Sequence, residues 1–131
     1  MLEMLWYDQT KMYVNGEWIW PAHYRQLPLE NPSTGDQIGT IARGETEDID
    51  AAVAAARGAL ESDWGRMTAV ERGRILTRIG QLVQDRIEDL AAIEAADVGK
   101  PLSQARSDAI ALARYMEFYG GAADKVMGET I

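Results

Sequence analysis

The eight residues Glu94 to Pro101, Glu-Ala-Ala-Asp-Val-Gly-Lys-Pro, constrain this chain more than any other stretch. Gly99 is the residue type that most easily takes the left-handed conformation just past a helix C-terminus, and Pro101 cannot continue that helix but can open the next. The stretch therefore reads as a helix stop followed at once by a helix start. It also places Asp97 in the last turn of the incoming helix, where the helix dipole presents its negative end and a carboxylate is mildly unfavourable. That carboxylate is either solvated or compensated by something.

Upstream, the first signal is a turn. In Tyr13-Val14-Asn15-Gly16-Glu17-Trp18-Ile19, Asn-Gly separates two short apolar runs and supplies the positive φ angles of a type I′ turn, so a small β-hairpin is expected. Trp18 and Trp20 fall on one face of its second strand, a face that needs a cover. Pro21 and Pro28 bracket a stretch without periodicity. Asn31-Pro32-Ser33-Thr34-Gly35 is a second turn, and Ile38 to Ile41 a short strand. A hairpin plus a strand needs packing against a helix.

From Thr46 the pattern is helical. Thr46 is the expected N-cap, followed by Glu47 and Asp48 where the dipole favours anions. Ile49, Val53, Ala56 and Leu60 form a narrow stripe, interrupted near Trp64-Gly65. Thr68 and Glu71 read as a capping box opening a helix that carries Ile75, Ile79, Leu82 and Val83. Asp85 with Glu88 suggests a re-start, so two helices rather than one are expected between Thr68 and Asp97. After Pro101, Ala105, Ala109, Leu112, Met116 and Tyr119 mark a last helix to about Lys125. Within it, Gly120-Gly121 points either to close approach of a neighbour or to a frayed end. The fold class expected is α+β and helix-rich, with an N-terminal hairpin-and-strand part over 1–45 and three or four amphipathic helices over 46–131.

Bulk properties set limits on function. At 131 residues the chain is long enough for one domain, but 19 of its apolar residues are Ala, against 27 Leu, Ile, Val and Phe together, so a core is thin and helix-packed. Net charge is -8, which argues against nucleic acid as a partner. Cysteine is absent, removing disulfides, thiolate metal sites and a thiol nucleophile together. No run of 18 or more apolar residues reads as a membrane span, and residues 1–10 do not read as a signal peptide, so a cytoplasmic protein is expected with no membrane partner.

A search for chemistry returns little. His23 is a single histidine in a loop, with no acid at short fixed spacing. Ser33, Ser62, Ser103 and Ser107 lack a G-x-S-x-G context. Neither G-x-G-x-x-G nor a phosphate-binding G-x-x-x-x-G-K-[ST] loop occurs, since Pro101 follows Gly99-Lys100 where Ser or Thr is required. Met116 and Met127 read as core filler.

Five blocks in order carry the reading further: Tyr13 to Trp18, Asn31 to Gly39, Asp48 to Val53, Asp97 to Pro101 and Tyr119 to Lys125. Together they resemble the N-terminal quarter of the aldehyde dehydrogenase family, over roughly residues 12 to 131. The resemblance implies a partial aldehyde dehydrogenase fold and a parent activity of NAD(P)-dependent oxidation of an aldehyde to a carboxylic acid. In that family a cysteine thiolate attacks the aldehyde, an Asn side chain and a backbone N–H hold the oxyanion, hydride passes to the nicotinamide, and a Glu activates water. None of these groups falls within the matching blocks, so the resemblance implies no catalytic or cofactor-binding residue here. It implies an isolated chain that is inactive and holds neither NAD nor NADP tightly.

The partners so implied are the remainder of the dehydrogenase chain or a full-length relative, with a small-molecule aldehyde as the parent enzyme's substrate. The apolar helix stripes then read as surfaces for a sheet beyond these blocks. Two site assignments carry over. In some members a carboxylate at the position of Asp97 holds a monovalent cation, Na⁺ or K⁺, with backbone carbonyls here around Leu29 and Glu30. The last helix borders the substrate entrance in the family, which makes Leu112 and Met116 candidates for lining it; core packing is the competing role for both. A different class of reading is a stand-alone interaction module that docks on a full-length dehydrogenase.

Overall fold

The computed structural model of the chain describes residues 5–128. They fall into two compact units. One comprises the chain up to Gly65 together with Ala96–Gly99; the other comprises Arg66–Ala95 and the chain from Lys100 onward.

The first unit holds two antiparallel ribbons and a helix. Strands β1 (Met12–Val14) and β2 (Glu17–Ile19) pair with Tyr13 opposite Trp18, across a turn whose Asn15 and Gly16 have φ of 53° and 84°. This is the expected hairpin. Its tryptophans do not share a cover: Trp18 stacks on Tyr7 and lies against Tyr13, whereas Trp20 lies beyond the strand against Tyr24 and under the Lys11 ammonium.

The second ribbon departs from the sequence-based expectation. The stretch expected to be irregular, Pro21 to Pro28, ends inside β3 (Gln26–Glu30), which pairs with β4 (Gln37–Ala42) with Leu27 opposite Ile41 and Pro28 opposite Thr40. Pro28 lacks the N–H of a ladder residue, yet each strand of a two-stranded ribbon has one side without a partner, which is where proline is tolerated. Asn31 organises the connecting turn, its carbonyl accepting from Gly35 N at 2.7 Å and its side chain from Ser33 N at 2.9 Å.

Helix α1 (Thr46–Glu61) starts one residue earlier in its capping than expected. Glu45 is the N-cap, and its backbone N–H donates to Asp48 Oδ2 at 2.8 Å. The large apolar stripe stays uncovered, as the family resemblance implied. Ile49, Val53 and Leu60 are exposed, Ile49 by 59% and Leu60 by 67%, while Ala52, Ala55 and Ala59 turn toward the hairpin and line a cleft with Tyr13 and Val14. An alanine face lets a helix approach a ribbon closely; Ile and Leu at those positions hold it off. A short α2 (Asp63–Arg66) follows at the expected break.

The second unit is helical. Thr68 caps α3 (Ala69–Gln84) in the expected box: Glu71 N donates to Thr68 Oγ1 at 3.3 Å, and Thr68 N to Glu71 Oε2 at 2.7 Å. Helix α4 (Ile87–Val98) follows after a two-residue break, so two helices form as expected. Asp85 closes the first of them rather than opening the second. Helix α5 (Leu102–Ala122) has Pro101 as its N-cap and ends three residues before Lys125.

Glycines bring α3 and α5 together. A Cβ placed on Gly73 lies 2.3 Å from the Gly120 carbonyl oxygen, and one on Gly80 lies 2.9 Å from that of Ala113, so the two helices run antiparallel with their backbones almost in contact. Ala91, Ala105, Ala109 and Ala113 fill the buried positions. Gly120 thus answers the question posed by the glycine pair: it is a site of close approach, whereas Gly121 has open space around it. As in α1, the larger residues of the expected stripe, Ile75, Ile79 and Leu82, are exposed.

Candidate functional site

Asp97 is the penultimate residue of α4 and is exposed. Among the described residues it has no ion pair and no side-chain hydrogen bond, and the nearest cation along the chain is committed elsewhere: Lys100 Nζ donates to Asp108 at 2.7 Å and to Glu94 at 2.5 Å. Those two carboxylates hold the Lys100 pKa above its ordinary value, Asp108 more strongly than Glu94. The last-turn carboxylate therefore keeps its lone pairs open to solvent.

The stop at Gly99 is built as expected, with φ of 72°. It also has a second role. A Cβ on Gly99 would lie 2.9 Å from Pro32 Cγ and 3.5 Å from Ser33 Oγ, so the end of α4 rests directly on the Asn31–Gly35 turn. Leu29 and Glu30, the last residues of β3, lead straight into that turn. The β3–β4 register shifts between them, so Glu30 pairs with Gln37 while Leu29 pairs with Gly39. A register break of this kind re-aims the backbone groups beside it. The fold thus brings the segment carrying Asp97 to the segment carrying Leu29 and Glu30, although they are far apart in sequence.

The two α5 candidates separate. Met116 is half-buried and packs on α3, its Cβ being 3.2 Å from a Cβ placed on Gly80. Leu112, one turn before Met116 on the same helix, is 40% exposed.

One side chain that sequence reasoning placed only as a first-turn anion does more. Asp48, 7% exposed, accepts from Ala22 N at 2.9 Å through Oδ1 and from Glu45 N at 2.8 Å through Oδ2, tying the turn after the hairpin to the start of α1. The signal available was Glu45 and Asp48 three apart at a helix start; the partner at Ala22 is visible only in three dimensions.

With this geometry in view, comparison with known proteins is decisive. The sequence profile of the aldehyde dehydrogenase family matches residues 18–131. The chain belongs to the aldehyde dehydrogenase family. It is 42% identical over 120 residues to a hydroxyisobutyraldehyde dehydrogenase from Mycolicibacterium austroafricanum, an alignment covering 92% of this chain and 24% of the relative. Among solved structures, a candidate aldehyde dehydrogenase from Burkholderia cenocepacia superposes with a TM-score of 0.89 at 57% identity, over 92% of this chain and 26% of that one. A betaine aldehyde dehydrogenase point mutant from Staphylococcus aureus, in complex with NAD⁺, gives a TM-score of 0.87 at 33% identity, over 94% and 25%. This aldehyde dehydrogenase chain spans about a quarter of the length of the relatives it matches.

The strand-to-helix turn from β4 into α1 is a poor match to a dinucleotide's pyrophosphate. Among the described residues, Arg43-Gly44-Glu45 is the strand-to-helix turn leading from β4 into α1, and the helix start it leads to carries Glu45, Glu47 and Asp48. Carboxylates occupy the positive end of that helix dipole and repel a pyrophosphate, where a dinucleotide site requires bare backbone N–H groups. No helix among the described residues is long and apolar enough to cross a membrane.

Proposed function

We propose that this chain acts as the N-terminal portion of an NAD(P)-dependent aldehyde dehydrogenase, an oxidoreductase converting aldehydes to carboxylic acids, and that residues 1–131 supply scaffold rather than reacting groups. The observation that carries the reading is a family match over nearly the whole chain combined with a quarter of the relatives' length and a sequence without cysteine. Covalent aldehyde oxidation of the family's kind needs a thiolate. The exposed stripes Ile49, Val53, Leu60 and Ile75, Ile79, Leu82 support the same reading, because contiguous apolar faces mark surfaces that another part of a protein covers. No observation favours the alternative of a stand-alone docking module.

The test is to assay aldehyde-dependent NADH formation by the purified chain alone and after mixing with a relative from which the matching quarter has been deleted. No turnover alone and restored turnover in the mixture are expected. Turnover by the chain alone overturns the reading.

Within that scaffold, Asp97 with the backbone around Leu29 and Glu30 is the proposed monovalent-cation site, supported by the open carboxylate and by the contact of Gly99 with Pro32. Na⁺ or K⁺ is expected to raise the melting temperature of the chain, and Asp97→Asn to remove that response. A response that survives the substitution leaves Asp97 a solvated residue. Leu112 is the better of the two substrate-entrance candidates, because its side chain is exposed while Met116 is engaged with α3.

A further inference from the structure

We propose that His23, Glu45 and Glu47 form a site for one borderline divalent transition-metal ion, with Zn²⁺ as the reference ion. One ligand atom from each of the three side chains lies within 4.8 Å of the other two. Zinc bonds to nitrogen and oxygen are about 2.0–2.2 Å, so donors around one ion sit roughly 3–4 Å apart. A small rotation closes the difference, and His23 and Glu47 are exposed and free to make it, with Glu45 half-buried. An imidazole with two carboxylates suits zinc, cobalt or nickel better than magnesium or calcium, which prefer oxygen alone.

The site is built from two segments held in place by a single side chain. Asp48 accepts from Ala22 N, the residue before His23, and from Glu45 N. Its buried carboxylate therefore fixes the spacing between the histidine-bearing turn and the glutamate-bearing helix start. His23 itself sits at φ 63°, inside the short 3₁₀ turn Ala22–Tyr24 that follows the fully buried Pro21. Arg25 takes one carboxylate oxygen of Glu45 at 3.0 Å, and a carboxylate has lone pairs enough to serve an ion as well. The anionic helix start that excludes a pyrophosphate favours a cation. Along the chain His23 has no acid at ligand spacing; the fold supplies both from residues 45 and 47.

Composition makes the test clean. The chain has one histidine and no cysteine, so a site for such an ion with an imidazole or thiolate ligand must include His23. Zn²⁺ is titrated into the full chain, freed of any purification tag, while calorimetry gives stoichiometry and NMR follows the one imidazole. One ion per chain is expected, with the His23 ring signals shifting in step with binding. Both His23→Ala and Glu47→Gln are expected to weaken Zn²⁺ at least about tenfold, since even outer-shell changes cost a metal site about 10–100-fold. Unchanged far-UV circular dichroism shows that the variants fold. No binding at millimolar Zn²⁺, or binding that either variant leaves unchanged, overturns the three-ligand site.

Discussion

In the strand-bearing unit, the inner face of α1 is alanine and one buried carboxylate; in the helical unit, glycines let the backbones of α3 and α5 touch. Both leave their large aliphatic side chains outside, but their tolerance to change differs. A carboxylate clamp is a polar device: Asp48 satisfies two backbone donors, and losing it leaves them unpaired. A glycine seam is a steric device, and any Cβ at its closest points has no room. The comparison says that the helical unit fails abruptly under added volume, and the strand-bearing unit by degrees under lost hydrogen bonds.

The largest effect is expected where the seam is tightest. Gly73→Ala places a Cβ 2.3 Å from a backbone oxygen and 3.1 Å from the Ala123 Cβ, neither of which is the movable end of a side chain. Overpacking of this kind costs about 1–3 kcal/mol and sometimes more, so a loss of about 3 kcal/mol is expected in urea denaturation. A loss below about 1 kcal/mol would mean that α3 and α5 separate easily, and the contrast between the units would collapse.

Asp48→Ala comes next. Two part-buried donors lose their acceptor, for an expected loss of about 2 kcal/mol, with faster amide exchange at Ala22 and Glu45. Asp48→Asn keeps one acceptor oxygen and is expected to recover about half. If exchange at Ala22 is unaffected by Asp48→Ala, the clamp is not what holds that turn.

Thr68→Ala removes an N-cap and is expected to cost about 1 kcal/mol. It also changes the pH dependence. Glu71 accepts from the Thr68 backbone N–H and then its hydroxyl, which holds its carboxyl below the ordinary 4.5. A depressed carboxylate contributes stability that is complete above its unfolded pKa and is lost as pH falls through the lower folded value. Glu88, lowered by its bidentate pairing with Arg106 at 2.7 Å on each oxygen, acts in the same window and direction. Melting measured from pH 6 down to pH 2 should therefore show an acid-side loss in the parent chain and a shallower one in Thr68→Ala, with the Glu88 part retained.

Local chemistry made much of this legible. Asn15-Gly16, the Thr68–Glu71 box and Gly99 all form as their residue types demand, because each depends on neighbours within four positions. The family resemblance was legible for the same reason, being carried by short blocks. What could not be read depends on who the neighbour is. Pro28 hid β3, since a proline excludes a central strand but not one side of a ribbon. In α1, periodicity gave a correct helix but not the face the hairpin takes: the stripe residues Ile49, Val53 and Leu60 stay uncovered, and the hairpin accepts Ala52, Ala55, Ala56 and Ala59. Hydrophobicity ranks faces by what they gain from burial, and this chain spans a quarter of its relatives' length, so its greasier faces are not the ones its own elements cover. The candidate site was half legible: Asp97 and its last-turn position were, its meeting with the Asn31–Gly35 turn was not.

The smallest effect probes the seam from its open side. Gly121 is adjacent to Gly120 and equally costly to helix propensity, yet nothing lies within 4 Å of a Cβ placed there, whereas one at Gly120 meets Thr77 Oγ1 at 2.5 Å and the Gly73 carbonyl at 2.7 Å. Gly121→Ala is expected to stabilise the chain by about 0.5–1 kcal/mol, by the ordinary helix preference of alanine over glycine near a helix end. Gly120→Ala is expected to destabilise it through the same methyl group. Opposite signs at neighbouring positions, measured by the same denaturation curve, isolate sterics from propensity. A gain at both would show that α5 is free to move away from α3 at that end, and would confine the glycine seam to Gly80 and Ala113.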